Sequence, residues 1–195
     1  LFRNEIISRM KKLIWYIFWI LILLFFTKID YRLTQEIYCC SDDFDYFSHA
    51  ETLIEDFDLD YSNQLEGAEN LRFNNDGKIA PIGFIGSGLL SSPFMFLGNL
   101  LDRFMNAGSV TNFKLTLYSL SSIFYLALSF SILIKSFDIL KIQHNKIVSF
   151  FLFFGSGITY YSFERYSMTH VYEIFTISLI IYTSSRFYKN LSNRS

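Results

Sequence analysis

Residues 115–134 read LTLYSLSSIFYLALSFSILI, a run of twenty residues without a charged side chain. At about 1.5 Å of rise per helical residue it reaches about 30 Å, the depth of a bilayer's hydrocarbon core. A helix that is apolar all round is buried, either in a large protein core or in lipid. A chain of 195 residues that is 51% hydrophobic and 19% aromatic, with 23 Phe, has the composition of the second case.

Further apolar runs lie on either side. Residues 13–27, LIWYIFWILILLFFT, carry no charge and span about 22 Å, which Lys11, Lys12 and Lys28 extend by snorkelling. The following TKIDYRL has no small-residue cleavage site, so this run reads as an uncleaved anchor rather than a signal peptide. Residues 79–101, IAPIGFIGSGLLSSPFMFLGNLL, are uncharged and hold four Gly and two Pro. Runs at 147–163 and 171–185 complete the set, the last pierced by Glu173.

Loop charge gives an orientation, because Lys and Arg are retained on the cytoplasmic side. Arg3, Arg9, Lys11 and Lys12 place the N-terminus in the cytoplasm, and the acidic loop 29–78 lies outside. Lys135, Lys141 and Lys146 mark 135–146 as cytoplasmic, as do Arg186, Lys189 and Arg194 for the tail. A full crossing by 79–101 would put 135–146 outside, whereas a re-entrant or broken element lets every loop obey the rule. The uninterrupted length favours a crossing; the glycines and Pro93 favour the broken element, and that version puts 160–170, YYSFERYSMTH, outside with the acidic loop.

The expected fold is therefore all-α: a polytopic transmembrane helix bundle in a multi-pass bacterial plasma-membrane protein, with an external loop bearing amphipathic helices. One membrane domain comprises a cytoplasmic leader and first span (1–28), the external loop (29–78) and further spans (79–195). The chain opens on Leu1 and stops soon after an apolar run, so it reads as the N-terminal fragment of a longer protein. Cys39 and Cys40 are adjacent, a poor geometry for a disulfide, and read as packing thiols. A net charge of −1 with no basic patch argues against a nucleic-acid partner. GFIGSG (83–88) lacks the strand and ribose-binding acid of a nucleotide loop and reads as close helix packing.

The acidic loop holds CCSDDFDYFSHAETLIEDFDLDYSN (39–63). From Asp42 to about Phe57, Phe44, Phe47, the Ala50–Thr52 turn and Ile54 recur at helical spacing, as in a helix on a membrane surface. Ser41 is placed as its N-cap, with acids in the first turn. Glu55, Asp56, Asp58 and Asp60 read as capping groups or a solvated face. Asp42 and Asp43 lie close to the bilayer, where a carboxylate works as a general base or holds a divalent cation. His49 is either a ligand beside Asp45 or, as a lone histidine among acids, a surface partner. Glu164, Arg165 and His170 either line the same external cavity or cap helix ends with Arg165 paired to Glu164. Glu173 faces a cavity within the span or sits in an exposed first turn.

The order of these features resembles the N-terminal portion of the type C membrane glycosyltransferases, the polyprenyl-phosphate-sugar-dependent superfamily that includes protein O-mannosyltransferases and Rgt-like transferases. The family's acidic pair matches Asp42–Asp43, and its following phrase matches Ala50, Leu53, Asp56, Asp58, Leu59, Asp60 and Asn63, with Thr52 at the small-hydroxyl position. A Pro/Gly phrase matches Pro81, Gly83, Gly88, Pro93 and Phe94; a later Tyr…Ser…His phrase matches Tyr161 or Tyr166 with Ser167 and His170. QLEGAENLRFNNDGK (64–78) matches nothing in the pattern. The resemblance implies a hexosyltransferase moving a sugar from a polyprenyl phosphate to an acceptor at the external face, with inversion. It implies Asp42 or Asp43 as the catalytic base, Glu164, Arg165, His170 and Glu173 as substrate-binding residues, and apolar helices around the isoprenoid. A divalent cation, with Asp43 and Glu164 as candidate ligands, or Arg and Lys side chains would meet the donor phosphate. The alternatives are a non-enzymatic membrane protein (a transporter subunit or assembly partner) and a lipid-modifying enzyme of another type.

Overall fold

The computed structural model describes residues 41–66, 73–75, 78–105 and 112–192, together with Trp15 and Trp19. The expected anchor (its two tryptophans apart), Cys39 and Cys40 lie outside the described residues. The elements run α1 (Ser41–Glu55), β1 (Phe73–Asn75), β2 (Lys78–Ala80), α2 (Gly86–Phe104), α3 (Phe113–Ile139), α4 (Lys146–Phe154), α5 (Ile158–Phe163) and α6 (His170–Ser192). The described chain is mostly helical, as expected. The two strands form an antiparallel hairpin that pairs Phe73 with Ala80 and Asn75 with Lys78, at the end of the stretch 64–78 that matched no known phrase.

α3 is the spine. It packs against α2 on one side and α6 on the other, and also touches α4 and α5. Ser119, Ser121, Ser122 and Ser129 are buried along it, small enough to let neighbours approach closely, and their hydroxyls satisfy backbone or tyrosine oxygens. Ser122 Oγ donates to the Ser162 carbonyl of α5 at 2.6 Å, and Ser121 Oγ lies 2.8 Å from the Tyr172 hydroxyl of α6. Its N-terminus is capped twice: Asn112 accepts from the Leu115 amide, and both Asp102 oxygens accept from the Phe113 and Lys114 amides at 3.0 and 2.8 Å. These bonds cover three of the amides that a helix start leaves open. Among the described residues α3 alone is long and apolar enough to cross a membrane, with a mean hydropathy of 1.8.

Three of the expected spans differ. Residues 79–101 are split: β2 ends at Ala80, and α2 begins only at Gly86. The break precedes the helix rather than falling at Pro93, which sits inside α2. Proline removes the amide that the Leu89 carbonyl would accept; the Ser92 hydroxyl donates there at 3.0 Å, and the Tyr125 hydroxyl reaches across from α3 to the next carbonyl, Leu90, at 3.0 Å. Residues 147–163 are two short helices, because Gly155-Ser156-Gly157 interrupts them. The last run is α6, whose 23 residues include Thr176, Thr183, Ser184, Arg186 and Lys189 and are too polar to pass the same test. At the other edge, the Trp19 ring packs against Phe150 and Phe154 of α4.

α1 runs beside α2. Its contact is set at Gly88, where an added Cβ would lie 2.4 Å from the His49 Cβ and 2.9 Å from its carbonyl carbon. Gly98 does the same for α2 against the start of α3, 2.4 Å from the Phe113 carbonyl oxygen. Both neighbours include backbone, which cannot rotate away. Gly88→Val is expected to destabilise the fold by about 1–3 kcal/mol through overpacking, measured by thermal unfolding. Gly86→Ala, with nothing within 4 Å of its Cβ position, is expected to be neutral or to add about 0.5–1 kcal/mol of helix propensity. Equal effects at the two positions would show that the α1–α2 contact does not depend on Gly88.

Candidate functional site

The face of α1 that meets the bundle is not the apolar stripe the sequence suggested. Asp43, Asp45, Ser48, His49 and Thr52 are all buried, beside Ala50, while Phe44 is exposed. Phe47 and Ile54 do pack inward, against the cluster of Ala50, Met95, Leu115, Tyr118 and Tyr166. α1 is thus a helix docked on α2 and α3, not one lying alone on a surface. It already includes Ser41, so Ser41 belongs to its first turn rather than to the cap.

Ser48 Oγ donates to the Phe44 carbonyl of α1 itself at 2.8 Å, whereas the other buried polar groups on that face meet partners beyond the helix. Asp43, 3% exposed, accepts a hydrogen bond and ion pair from Arg165 Nε at 2.8 Å, across 122 residues of sequence. Asp43 Oδ1 is buried and has no hydrogen-bond partner among the described residues. Burial pushes the Asp43 carboxyl above its usual 3.8; the Arg165 charge and hydrogen bond pull it back, and Asp42 adds a push upward. Asp45 Oδ2 accepts from the Ile82 amide at 3.0 Å. The two ring nitrogens of His49 lie 2.9 Å from the Gly83 carbonyl and 2.8 Å from the Tyr61 hydroxyl. A carbonyl only accepts, so Nε2 carries the proton and Nδ1 accepts from Tyr61. Neither nitrogen is open, which overturns the reading of His49 as a ligand beside Asp45; nor is it on the surface. It latches the turn of Tyr61 and Leu65, and the hairpin packed on that turn through Ile79, to α1.

The acidic phrase that carried much of the family resemblance is bonded to itself. Asp58 Oδ1 accepts from Thr52 Oγ1 and the Asp60 amide, Asp60 Oδ1 from the amide and hydroxyl of Ser62, and Asp56 Oδ2 from the side-chain amides of Asn63 and Gln64. These carboxylates shape a turn, as capping groups do. Glu51 and Glu55 share Lys114 at the start of α3, whose ammonium also lies 5.7 Å from the Phe47 ring centre.

The other expected site residues come to the same end of the bundle without forming one cluster. Arg165 follows α5 and pairs with Asp43, not with Glu164; its Nη2 lies 3.7 Å from Met168 Sδ. Glu164 and Asp42 are exposed. His170 begins α6, its ring 4.1 Å from that of Tyr161. Glu173 is on the exposed first turn of α6 rather than within a span, and accepts from Thr169 Oγ1 at 2.6 Å. Burial, with the charges of Asp42, Glu173 and Asp45, raises the Tyr46 hydroxyl, and Thr169 pulls it back. No group of three His, Cys, Asp or Glu side chains able to hold a metal occurs among the described residues. Asp43 and Glu164 alone do not make the cation site the resemblance implied. Tyr61 and Gly83 carry no signal for these contacts in the sequence; each becomes visible only once it meets His49 of α1.

Burial lowers the His49 pKa from 6.5, with the Gly83 bond and Asp45 opposing. The folded state therefore holds His49 neutral while the unfolded chain takes up a proton below 6.5, so stability is lost as pH falls through that window. The melting temperature is expected to fall between pH 7 and pH 5, and part of that fall to vanish in His49→Gln, whose amide can still donate to Gly83. An identical pH dependence in both proteins would remove His49 as its source.

No family model, no curated protein and no solved structure matches the chain.

Proposed function

We propose that this chain belongs to an integral membrane glycosyltransferase that moves a sugar from a polyprenyl phosphate to an acceptor hydroxyl at the external membrane face. The observation that carries this reading is the Asp43–Arg165 pair. A carboxylate suited to a base and a guanidinium suited to a phosphate come from distant parts of the sequence and meet, partly shielded from water, at one end of α3.

The membrane part of the proposal rests on α3 and on what surrounds it. Ile147, Val148, Phe151 and Leu152 of α4 and Ile177, Ile180 and Ile181 of α6 are exposed. So many large apolar side chains facing outward suit lipid rather than water. α2 runs along α1, from Gly88 against His49 to Asn99 and Arg103 against Ile54 and Glu55, and the proposal takes it as the broken, non-crossing element.

The chemistry follows from competition for Arg165. In the resting site Arg165 neutralises Asp43. An arriving donor phosphate draws the guanidinium to itself, since Arg binds phosphate well, and leaves a buried carboxylate with less positive charge beside it. Its basicity rises. Asp43 then accepts the proton of the acceptor hydroxyl as that oxygen bonds the anomeric carbon. The bond from that carbon to the phosphate oxygen breaks with inversion, and the lipid phosphate leaves with the electron pair. A second reading, a non-enzymatic membrane protein in which the pair only clasps α1 to the α5–α6 turn, draws on the 3% exposure of Asp43.

Membranes carrying the full open reading frame, supplied with labelled polyprenyl-phosphate sugars, separate the two. Asp43→Asn, which can still accept from Arg165, is expected to insert normally and lose about 10²–10⁴-fold in transfer, the usual weight of a general base. Near-normal turnover in that variant would remove Asp43 from the mechanism, and no transfer by inserted wild type from any donor would favour the clasp. A carboxylate base works only when ionised, so kcat/KM should fall on the acid side with an apparent pKa above 3.8. Arg165→Gln removes a lowering influence and should move that limb further up; an unmoved limb would break the link between the two residues.

A further inference from the structure

At the other end of α1 from Asp43 lies a groove between the last turn of α1 and the last turns of α2. Its walls are Ile54, Phe57, Phe96 and Leu100, and Asn99, Arg103 and Glu55 supply its polar rim. Eleven or twelve residues separate it from Asp43 along α1, about 17 Å at the helical rise. Two features set it apart from ordinary surface. The first is Phe57. Its amide, like that of Asp56, bonds back to the Thr52 carbonyl, closing α1 in a left-handed turn with φ at +58°. That position favours glycine, and a bulky residue there is strained. Phe57 is nonetheless 76% exposed, so burial of the ring does not repay the strain. The second is charge. Glu55 is bonded by Lys114, while Arg103 has no ion pair or hydrogen bond among the described residues. The dipole of α2 explains a cation in its last turn, but not an aromatic rim around it.

We propose that this groove binds the anionic headgroup of a membrane phospholipid, with Arg103 and Asn99 on the phosphate and Phe57, Phe96 and Leu100 along the start of the acyl chains. This rests on the membrane reading above, not on sugar transfer. It adds a lipid site separate from the Asp43–Arg165 pair. Arg103 supplies the counter-charge, and the exposed Phe57 ring, kept at the cost of strain, gains an apolar partner.

The test uses a short-chain phosphatidylglycerol kept below its micelle concentration, so binding is read whether or not the protein spans a bilayer. Alkaline carbonate extraction of the same membranes reports insertion separately. Native mass spectrometry of the purified full chain should show phosphatidylglycerol retained in preference to the matching phosphatidylcholine. Arg103→Gln should weaken phosphatidylglycerol about tenfold, the size of one charge-assisted contact of about 1.4 kcal/mol, and leave phosphatidylcholine unchanged. Phe57→Gly should also weaken it while raising the melting temperature, since glycine relieves the left-handed strain; loss of binding is then not loss of fold. Lys189→Gln, on the exposed last turns of α6, should bind as wild type does. Undiminished binding in Arg103→Gln, equal retention of the two lipids by wild type, equal displacement by inorganic phosphate, or a loss in Lys189→Gln matching that in Arg103→Gln would each overturn the site. Extraction by carbonate with intact binding would overturn the membrane reading alone.

Discussion

A carboxylate taken out of water must be met by charge or hydrogen bonds, and that constraint organises this protein around Asp43. Arg165 supplies the charge from a turn 122 residues away. To do so, α5 and α6 must bring their connection to the same end of α3 that α1 occupies. The pair fixes the relation between the loop that precedes the bundle and the turn near its end. Tyr118 and Tyr166, in ring contact at 5.9 Å, pack beside it, and the apolar cluster around them shields the pair.

The same logic extends along α1. Its inward face is polar, yet its groups find partners in three separate segments: Arg165 for Asp43, the Ile82 amide for Asp45, and Gly83 with Tyr61 for His49. A helix held in this way has its register set by directional bonds rather than by apolar area alone. The close approach at Gly88 permits it, because the His49 backbone lies where a side chain would stand.

Composition and long periodicity make part of this fold legible in the sequence. The spine appears as the charge-free run 115–134, and α1 as the pattern from Asp42 to Phe57. The broken character of 79–101 is legible in its glycines and prolines, although the break falls ahead of α2 and Pro93 is accommodated inside it. The loss of 147–163 as one span turns on Gly155 and Gly157, short signals inside an otherwise apolar run. The inward face of α1 is not legible in this way. Periodicity places Phe44 and Phe47 on helical turns, but not which face meets α2; that depends on Gly88, forty residues on. For the same reason His49 looks like a surface histidine, since Tyr61 and the Gly83 carbonyl reach it only after the chain has folded back.

The candidate site is legible as a set of residue types, but its pairing is not. Asp43 and Arg165 both stand out in the sequence, with the arginine assigned to a phosphate or to Glu164. The ion pair changes what each can do. An arginine already bonded to a carboxylate meets a phosphate only by exchange, and a buried carboxylate becomes a stronger base only as that exchange proceeds. On the proposed reading, binding of the donor phosphate and activation of the base are one event, and an acceptor arriving without a donor meets a carboxylate still held by Arg165, in its less basic state. The burial that makes the pair costly to keep is also what makes its exchange selective.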